Sequence, residues 1–194
     1  MALSYSSITI ELREILLKNR PMELYSISPK GTVPVLYIND CVVIDESLDI
    51  MLWAINQSDQ NLWLDVYKDE QINLINENDN DFKYWLDRYK YNVRYPENSM
   101  GYYRKKCQIF LDKLEERLKK NKYLFTNMIC LSDIAIVPFI RQFANVDSIW
   151  FNEKYSLINK WLNNIISSKL FLSVMHKYSE YQIGQKPIIT NFNN

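Results

Sequence analysis

Two residue pairs carry the chemistry this sequence offers: Val33-Pro34 and Glu46-Ser47. Both lie in one stretch, Ser28 to Trp53, which holds Ser-Pro-Lys-Gly-Thr-Val-Pro-Val-Leu and then Asp-Glu-Ser-Leu-Asp-Ile. Glu46-Ser47 lies at a helix N-terminus, which suits an anionic ligand. Free N–H groups and the helix dipole draw negative charge there. A proline at the head of a strand removes a ladder donor and is tolerated only at a start or an edge. An X-Pro bond can be cis, which would turn the Val33 backbone groups outward. Each pair also has a plainer reading, a simple turn for Val33-Pro34 and ordinary capping for Glu46-Ser47.

Other reactive groups are sparse. The three cysteines, Cys41, Cys107 and Cys130, are far apart and form no Cys-x-x-Cys pair, which argues against a disulfide framework or a zinc site. His176 is the single histidine. It falls in an apolar-periodic stretch that reads as helix, and no nucleophile or acid beside it completes a triad. Three glycines do not make a phosphate loop. No metal site and no catalytic residue is assigned.

The elements that must position the two pairs can be read locally. Pro29 to Gly31 is a turn, Val33 to Ile38 a β-rich run, Asn39-Asp40 a polar break, and Cys41 to Ile44 a second run. Asp45-Glu46-Ser47 stands where a helix should start, because Leu48, Met51, Leu52 and Ile55 recur at helical spacing. Upstream, Met1 to Ser7 reads as the end of a helix and Ile8 to Leu12 as a strand. Met22 to Ile27 reads as a short helix or irregular turn. Asn56 to Asn61 is polar and is the candidate linker.

Beyond the linker the period is helical. Glu70 to Asn76 carries Ile72 and Ile75. A polar run from Glu77 to Asp81 interrupts or exposes that helix, and Phe82, Trp85, Leu86 and Tyr89 resume it. Tyr91 to Pro96 ends it, since a residue before proline disfavours the α region. Tyr102 to Lys120 is amphipathic, with Tyr103, Cys107, Phe110, Leu111, Leu114 and Leu118 on one face. Leu131 to Ala144 should be buried nearly all round, with Pro138 kinking it or following an early turn. Tyr155 to Tyr178 reads as a long final helical region, and the tail from Ile183, with Gly184 and Pro187, as loose.

At 194 residues, 47% hydrophobic and 24% charged, the chain can bury a real core. A formal net charge of zero speaks against nucleic acid or an anionic membrane as the main partner. No signal peptide or membrane span is visible, so a cytoplasmic protein is expected.

The Ser28–Trp53 stretch closely resembles the glutathione-binding half of glutathione transferases. In that family a Val-Pro pair precedes a strand of a thioredoxin-like domain, and a Glu-Ser pair opens a helix. Asn78 to Pro96, with Leu86-Asp87-Arg88-Tyr89-Lys90-Tyr91, is similar to a segment of bacterial members. So is Leu131-Ser132-Asp133-Ile134-Ala135 with Phe139-Ile140-Arg141-Gln142-Phe143-Ala144. The resemblance runs from about Met1 to Tyr181. It implies an α+β two-domain architecture, a partial thioredoxin-like domain at 1–58 and an all-helical domain at 62–181.

It also implies glutathione as co-substrate, a small apolar or electrophilic second substrate, and a homodimer. Val33 would bond the cysteinyl unit through its backbone, and Pro34 would shape the turn as the family's cis-proline. Glu46 would pair with the γ-glutamyl amine and Ser47 would hold the γ-glutamyl carboxylate. Arg20 falls where some members place a lysine that meets the glycyl carboxylate; on its own it reads as a solvated surface charge. Trp85, Tyr89, Tyr91 and Tyr95 either line a pocket for the second substrate or pack as core and rim. Arg88, Lys90, Arg94, Arg104, Lys105 and Lys106 read as a solvated basic face.

The family's reactive residue lies after the first strand or at the start of the first helix. This chain aligns from beyond that point, so the resemblance implies a missing central strand and little turnover. A non-catalytic binding or scaffold protein is the alternative. Asp133 matches the acid of the family's capping box, but Cys130 stands where Ser or Thr is usual. A weaker cap is expected there, by about 1 kcal/mol, unless Ser132 compensates.

Overall fold

The computed structural model describes residues 1–58 and 63–192. The Asn39-Asp40 break does close a hairpin. Strand β2 (Leu36–Asn39) pairs antiparallel with β3 (Val42–Ile44), with Leu36 opposite Ile44 and Tyr37 opposite Val43. The Asn39 side chain accepts the Cys41 N–H at 3.0 Å, which supplies locally what a Gly-containing turn would otherwise give. The register slips between Tyr37 and Asn39 to fit that turn.

Helix α1 (Ala2–Tyr5) and α2 (Met22–Ile27) are short, as the sequence implies. Helix α3 (Ser47–Asn56) starts where Glu46 and Ser47 predicted and buries Ile50, Ala54 and Ile55. α1 packs against α3. Asn56 closes α3, so the expected linker begins inside a helix; its residues 59–61 lie outside the described residues. The turn at Pro29 to Gly31 needs its glycine twice over. Gly31 has φ +61°, and a Cβ there would lie 2.3 Å from the Tyr25 ring.

The tail expected to be loose is instead ordered against the start of the chain. Strand β1 (Ile10–Leu12) pairs antiparallel with β4 (Ile188–Thr190), Ile10 opposite Thr190 and Leu12 opposite Ile188. The Tyr181 N–H donates to the Glu14 carbonyl at 2.7 Å, and the Arg13 guanidinium lies 4.8 Å from the Tyr181 ring centre. A three-residue strand cannot leave its ladder groups unpaired, and the β-branched Ile188-Ile189-Thr190 run offers the matching edge. The described strands thus form two separate two-stranded ladders, β1–β4 and β2–β3.

The helical part follows the apolar period closely. Helix α4 (Lys68–Glu77) is not broken by the polar run. It passes through a widened turn, Asn78–Phe82, into α5 (Lys83–Lys90). That turn keeps Phe82 inward, its ring 5.0 Å from Phe110. Helix α6 (Met100–Leu118) buries the six residues named for its apolar face, and α7 (Leu131–Ala144) carries Pro138 within it. The expected long final helix is divided into α8 (Ser148–Lys154), α9 (Ser156–Ile166) and α10 (Lys169–Ser173). Bonds from Val174 N–H to Phe171 and from Met175 N–H to Leu172 tighten the last turn and end α10. His176 is therefore not helical; it is exposed, its ring 4.9 Å from Tyr178.

Helix α9 has no cap of its own, and α6 provides one. Glu115 accepts the N–H groups of Leu157 at 3.1 Å and Ile158 at 2.9 Å. Tyr155 donates to Asp112 at 2.8 Å beside it. Glu115→Ala should lower the unfolding free energy by about 1–2 kcal/mol, the range for a lost cap with charge-assisted bonds. A urea titration should show a lower midpoint at unchanged slope.

The capping box expected at the start of α7 is present, with the side chains of Cys130 and Asp133 each meeting the other's backbone N–H. The Cys130 N–H donates to Asp133 at 2.8 Å, so the acid half of the capping box is present. The Cys130 thiol sits 3.5 Å from the Met128 carbonyl. Ser132 does not compensate through its hydroxyl, which is buried without a partner among the described residues. Its N–H instead meets the amide oxygen of Gln71, a fully buried side chain on α4, at 3.0 Å.

Two compact units result, one of Met1–Asn61 with Lys169–Asn194, the other of Leu62–Ser168.

Candidate functional site

The site is built from the turn before β2 and the start of α3. The Val33–Pro34 peptide is cis. Val33 is 44% exposed, and its N–H and C=O have no partners among the described residues. They are available to hydrogen-bond a peptide backbone, although Val33 lies in a bend ahead of β2. Pro34 lies exposed beside it.

Glu46 is the residue before the first turn of α3, in an extended conformation (φ −111°, ψ 133°), and its carboxylate does not cap its own helix. Ordinary capping therefore does not explain its presence. Ser47 is the first helical residue and is exposed. The Glu46 side chain is 62% exposed and points to a cation instead: Lys30 Nζ donates to Glu46 Oε1 at 2.8 Å and to Asp45 Oδ1 at 3.3 Å. The buried Ser28 hydroxyl donates to Asp45 Oδ2 at 3.0 Å. That bond, with Lys30, holds the Asp45 carboxyl below the usual range, while the two carboxylates raise the Lys30 ammonium above its own.

Ser28, Lys30 and Asp45 were not singled out from spacing. The signal was present, since Ser-Pro-Lys-Gly and Asp-Glu-Ser are the two halves of the motif. What spacing does not show is that a buried serine and a lysine tie those halves together. Arg20, by contrast, is exposed, and no hydrogen bond or ion pair links it to this group among the described residues.

The remaining candidates are not gathered into a site. Tyr89 is core, Trp85 and Tyr95 are half-buried, and Tyr91 is exposed. None of the four lines the groove of about 880 Å³ between α4 and α6, whose walls include Glu70, Glu77, Lys113, Arg117 and Phe125. The basic stretch covers aromatic faces. Arg88 lies 3.4 Å from the Tyr84 ring centre and 4.5 Å from that of Tyr95, and Arg94 lies 4.8 Å from Tyr91. Burial pushes the Cys107 thiol up to about 12 and raises Cys130, so neither is a thiolate at neutral pH; Cys41 is exposed on the hairpin. Among the described residues no His, Cys, Asp or Glu group could hold a metal ion, and no helix is long and apolar enough to cross a membrane.

Residues 1–57 match the glutathione S-transferase N-terminal domain, and residues 96–169 match the glutathione S-transferase C-terminal domain. The chain belongs to the glutathione S-transferase family. Solved structures agree on the fold. The chain is similar to the bacterial transferase BphK (TM-score 0.74, 16% identity, covering 89% of this chain and 88% of that one). It is similar to glutathione S-transferase-I bound with lactoylglutathione (0.71, 20%, 89% of each chain). It is also similar to URE2P6 of Phanerochaete chrysosporium in complex with oxidised glutathione (0.76, 17%, 89% and 86%). A comparison with curated proteins finds no match. The fold is thus that of a two-domain glutathione S-transferase, a thioredoxin-like N-terminal part followed by a helical C-terminal part.

Proposed function

We propose that this transferase-family chain binds glutathione through Val33, Glu46 and Ser47, with Pro34 shaping the turn and Arg20 meeting the glycyl carboxylate. One observation carries the reading. In a chain of this family, the backbone groups of Val33 have no partners among the described residues, and the Glu46 carboxylate at the start of α3 makes no cap bond to its own helix and meets Lys30 instead. An extended tripeptide with an amine and a carboxylate at one end matches that arrangement. Calorimetry with glutathione tests it. Ser47→Ala should weaken binding about tenfold, the scale of one hydrogen bond to a charged group. Equal binding by wild type and variant removes Ser47 from the site.

Conjugation or thiol transfer to a small electrophile is the activity class we propose for the family site, in a cytoplasmic homodimer. A second reading is binding without turnover. The buried Cys107 and Cys130 are held protonated, and neither lies in the unit that carries Glu46. Assay of the 194-residue chain with a general electrophile and with a disulfide substrate separates the two. Turnover abolished by one substitution within the chain supports the first; binding without turnover supports the second.

A further inference from the structure

Lys30 sits on the carboxylate that the proposed ligand's amine would use. Its ammonium donates to Glu46 at 2.8 Å and Asp45 at 3.3 Å, which leaves the third of its donors for another acceptor. Its place is not a chance surface pairing. Asp45 is fixed by the hydroxyl of Ser28, which is 1% exposed. The intervening turn is closed by the Gly31 N–H on the Ser28 carbonyl at 2.9 Å and by the left-handed backbone of Gly31.

We propose that Lys30 makes this site specific for a zwitterionic α-amino acid end, rejecting a plain amine; the proposal rests on the reading that Glu46 and Ser47 hold the γ-glutamyl end of glutathione. A carboxylate has two oxygens, and Lys30 occupies only Oε1 of Glu46. An amine arriving at Oε2 is repelled by Lys30. An α-carboxylate one carbon away is attracted by it. For a zwitterion the two effects largely offset each other, whereas an amine without a carboxylate meets only the repulsion. Removing the Lys30 charge relieves the plain amine and leaves the zwitterion nearly unchanged, so the affinity ratio falls. The Lys30 side chain is 54% exposed and water screens it, so the expected change is about five- to tenfold rather than hundreds.

The test is calorimetry at low salt on wild type, Lys30→Met and Lys30→Arg. The ligands are glutathione, γ-aminobutyryl-cysteinylglycine, which lacks the α-carboxylate, and glutaryl-cysteinylglycine, which lacks the amine. The preference of wild type for glutathione over the γ-aminobutyryl peptide should fall about five- to tenfold in Lys30→Met and persist in Lys30→Arg. The glutaryl peptide should lose affinity in Lys30→Met. An unchanged preference overturns the proposal, as does equal weakening of all three ligands, which would make Lys30 a strut. If wild type binds no glutathione at millimolar concentration, the reading of the site itself fails, and Lys30 falls with it. If glutathione binds and Ser47→Ala weakens it while the preference stays unchanged, only the Lys30 proposal fails.

Discussion

Asp133→Asn should lower the unfolding free energy by about 2–4 kcal/mol at pH 7, a loss that grows as the pH falls. The Asp133 carboxyl is fully buried and accepts three N–H groups. Oδ1 takes Leu124 N–H at 3.0 Å and Trp161 Nε1–H at 2.7 Å, and Oδ2 takes Cys130 N–H at 2.8 Å. The carboxyl thereby joins the segment before α7, the start of α7 and the middle of α9. Asparagine keeps the shape but offers one accepting oxygen and one NH2, so at least one buried donor then faces another donor. Each orphaned donor costs about 1–3 kcal/mol, and relief from holding a buried charge offsets part of the total.

The same residue sets a pH dependence. Burial pushes the Asp133 carboxyl from 3.8 up to about 6, against the three donors. The folded protein therefore holds this proton where the unfolded chain has released it. The group's contribution is fully present below pH 3.8 and is lost as the pH rises through about 6. A displacement of that size is worth about 3 kcal/mol at about 1.36 kcal/mol per pH unit. The gap between wild type and Asp133→Asn should thus widen by up to about 3 kcal/mol between pH 7 and pH 4. Urea titrations of both proteins at pH 7, 5.5 and 4 measure it. A gap that is small and constant with pH would show that Asp133 neither carries these donors nor titrates in this range.

Gln71→Leu should cost about 3 kcal/mol and lower the melting temperature by roughly 6–12 °C. Gln71 donates to the Trp63 carbonyl at 3.0 Å and the Val66 carbonyl at 2.8 Å, and accepts the Ser132 N–H at 3.0 Å. One buried amide thus anchors the segment before α4 and satisfies the first turn of α7. Leucine fills a similar volume and removes all three of these bonds. Gln71→Glu should be worse at neutral pH, because it sets a buried charge against two carbonyl oxygens. Differential scanning calorimetry decides it; a variant that melts with wild type would mean that water replaces the amide.

Much of this protein is legible from residue order alone. The 3.6-residue period named the buried face of α6 and both ends of α7, because those helices each bury one continuous stripe or nearly their whole surface. The hairpin and the start of α3 followed from a polar break and a carboxylate-hydroxyl pair, which act within a few residues of themselves. Glu46 and Ser47 could be named as candidates because they stand at that helix start.

Tertiary structure decided what no local pattern contains. The Ile188–Thr190 strand exists because Ile10–Leu12 offers an edge more than 170 residues away in sequence, and a Gly- and Pro-containing tail gives no hint of it. The cap of α9 comes from Glu115 on α6, and the first turn of α7 is completed by Gln71 on α4. Backbone donors at a helix end must be satisfied, but any acceptor that folding brings near will serve, so the sequence around the helix does not name it. Lys30 is the same case at the candidate site. Composition marks it as one charge among many, and only the turn at Gly31 and the buried Ser28 place its ammonium on Glu46.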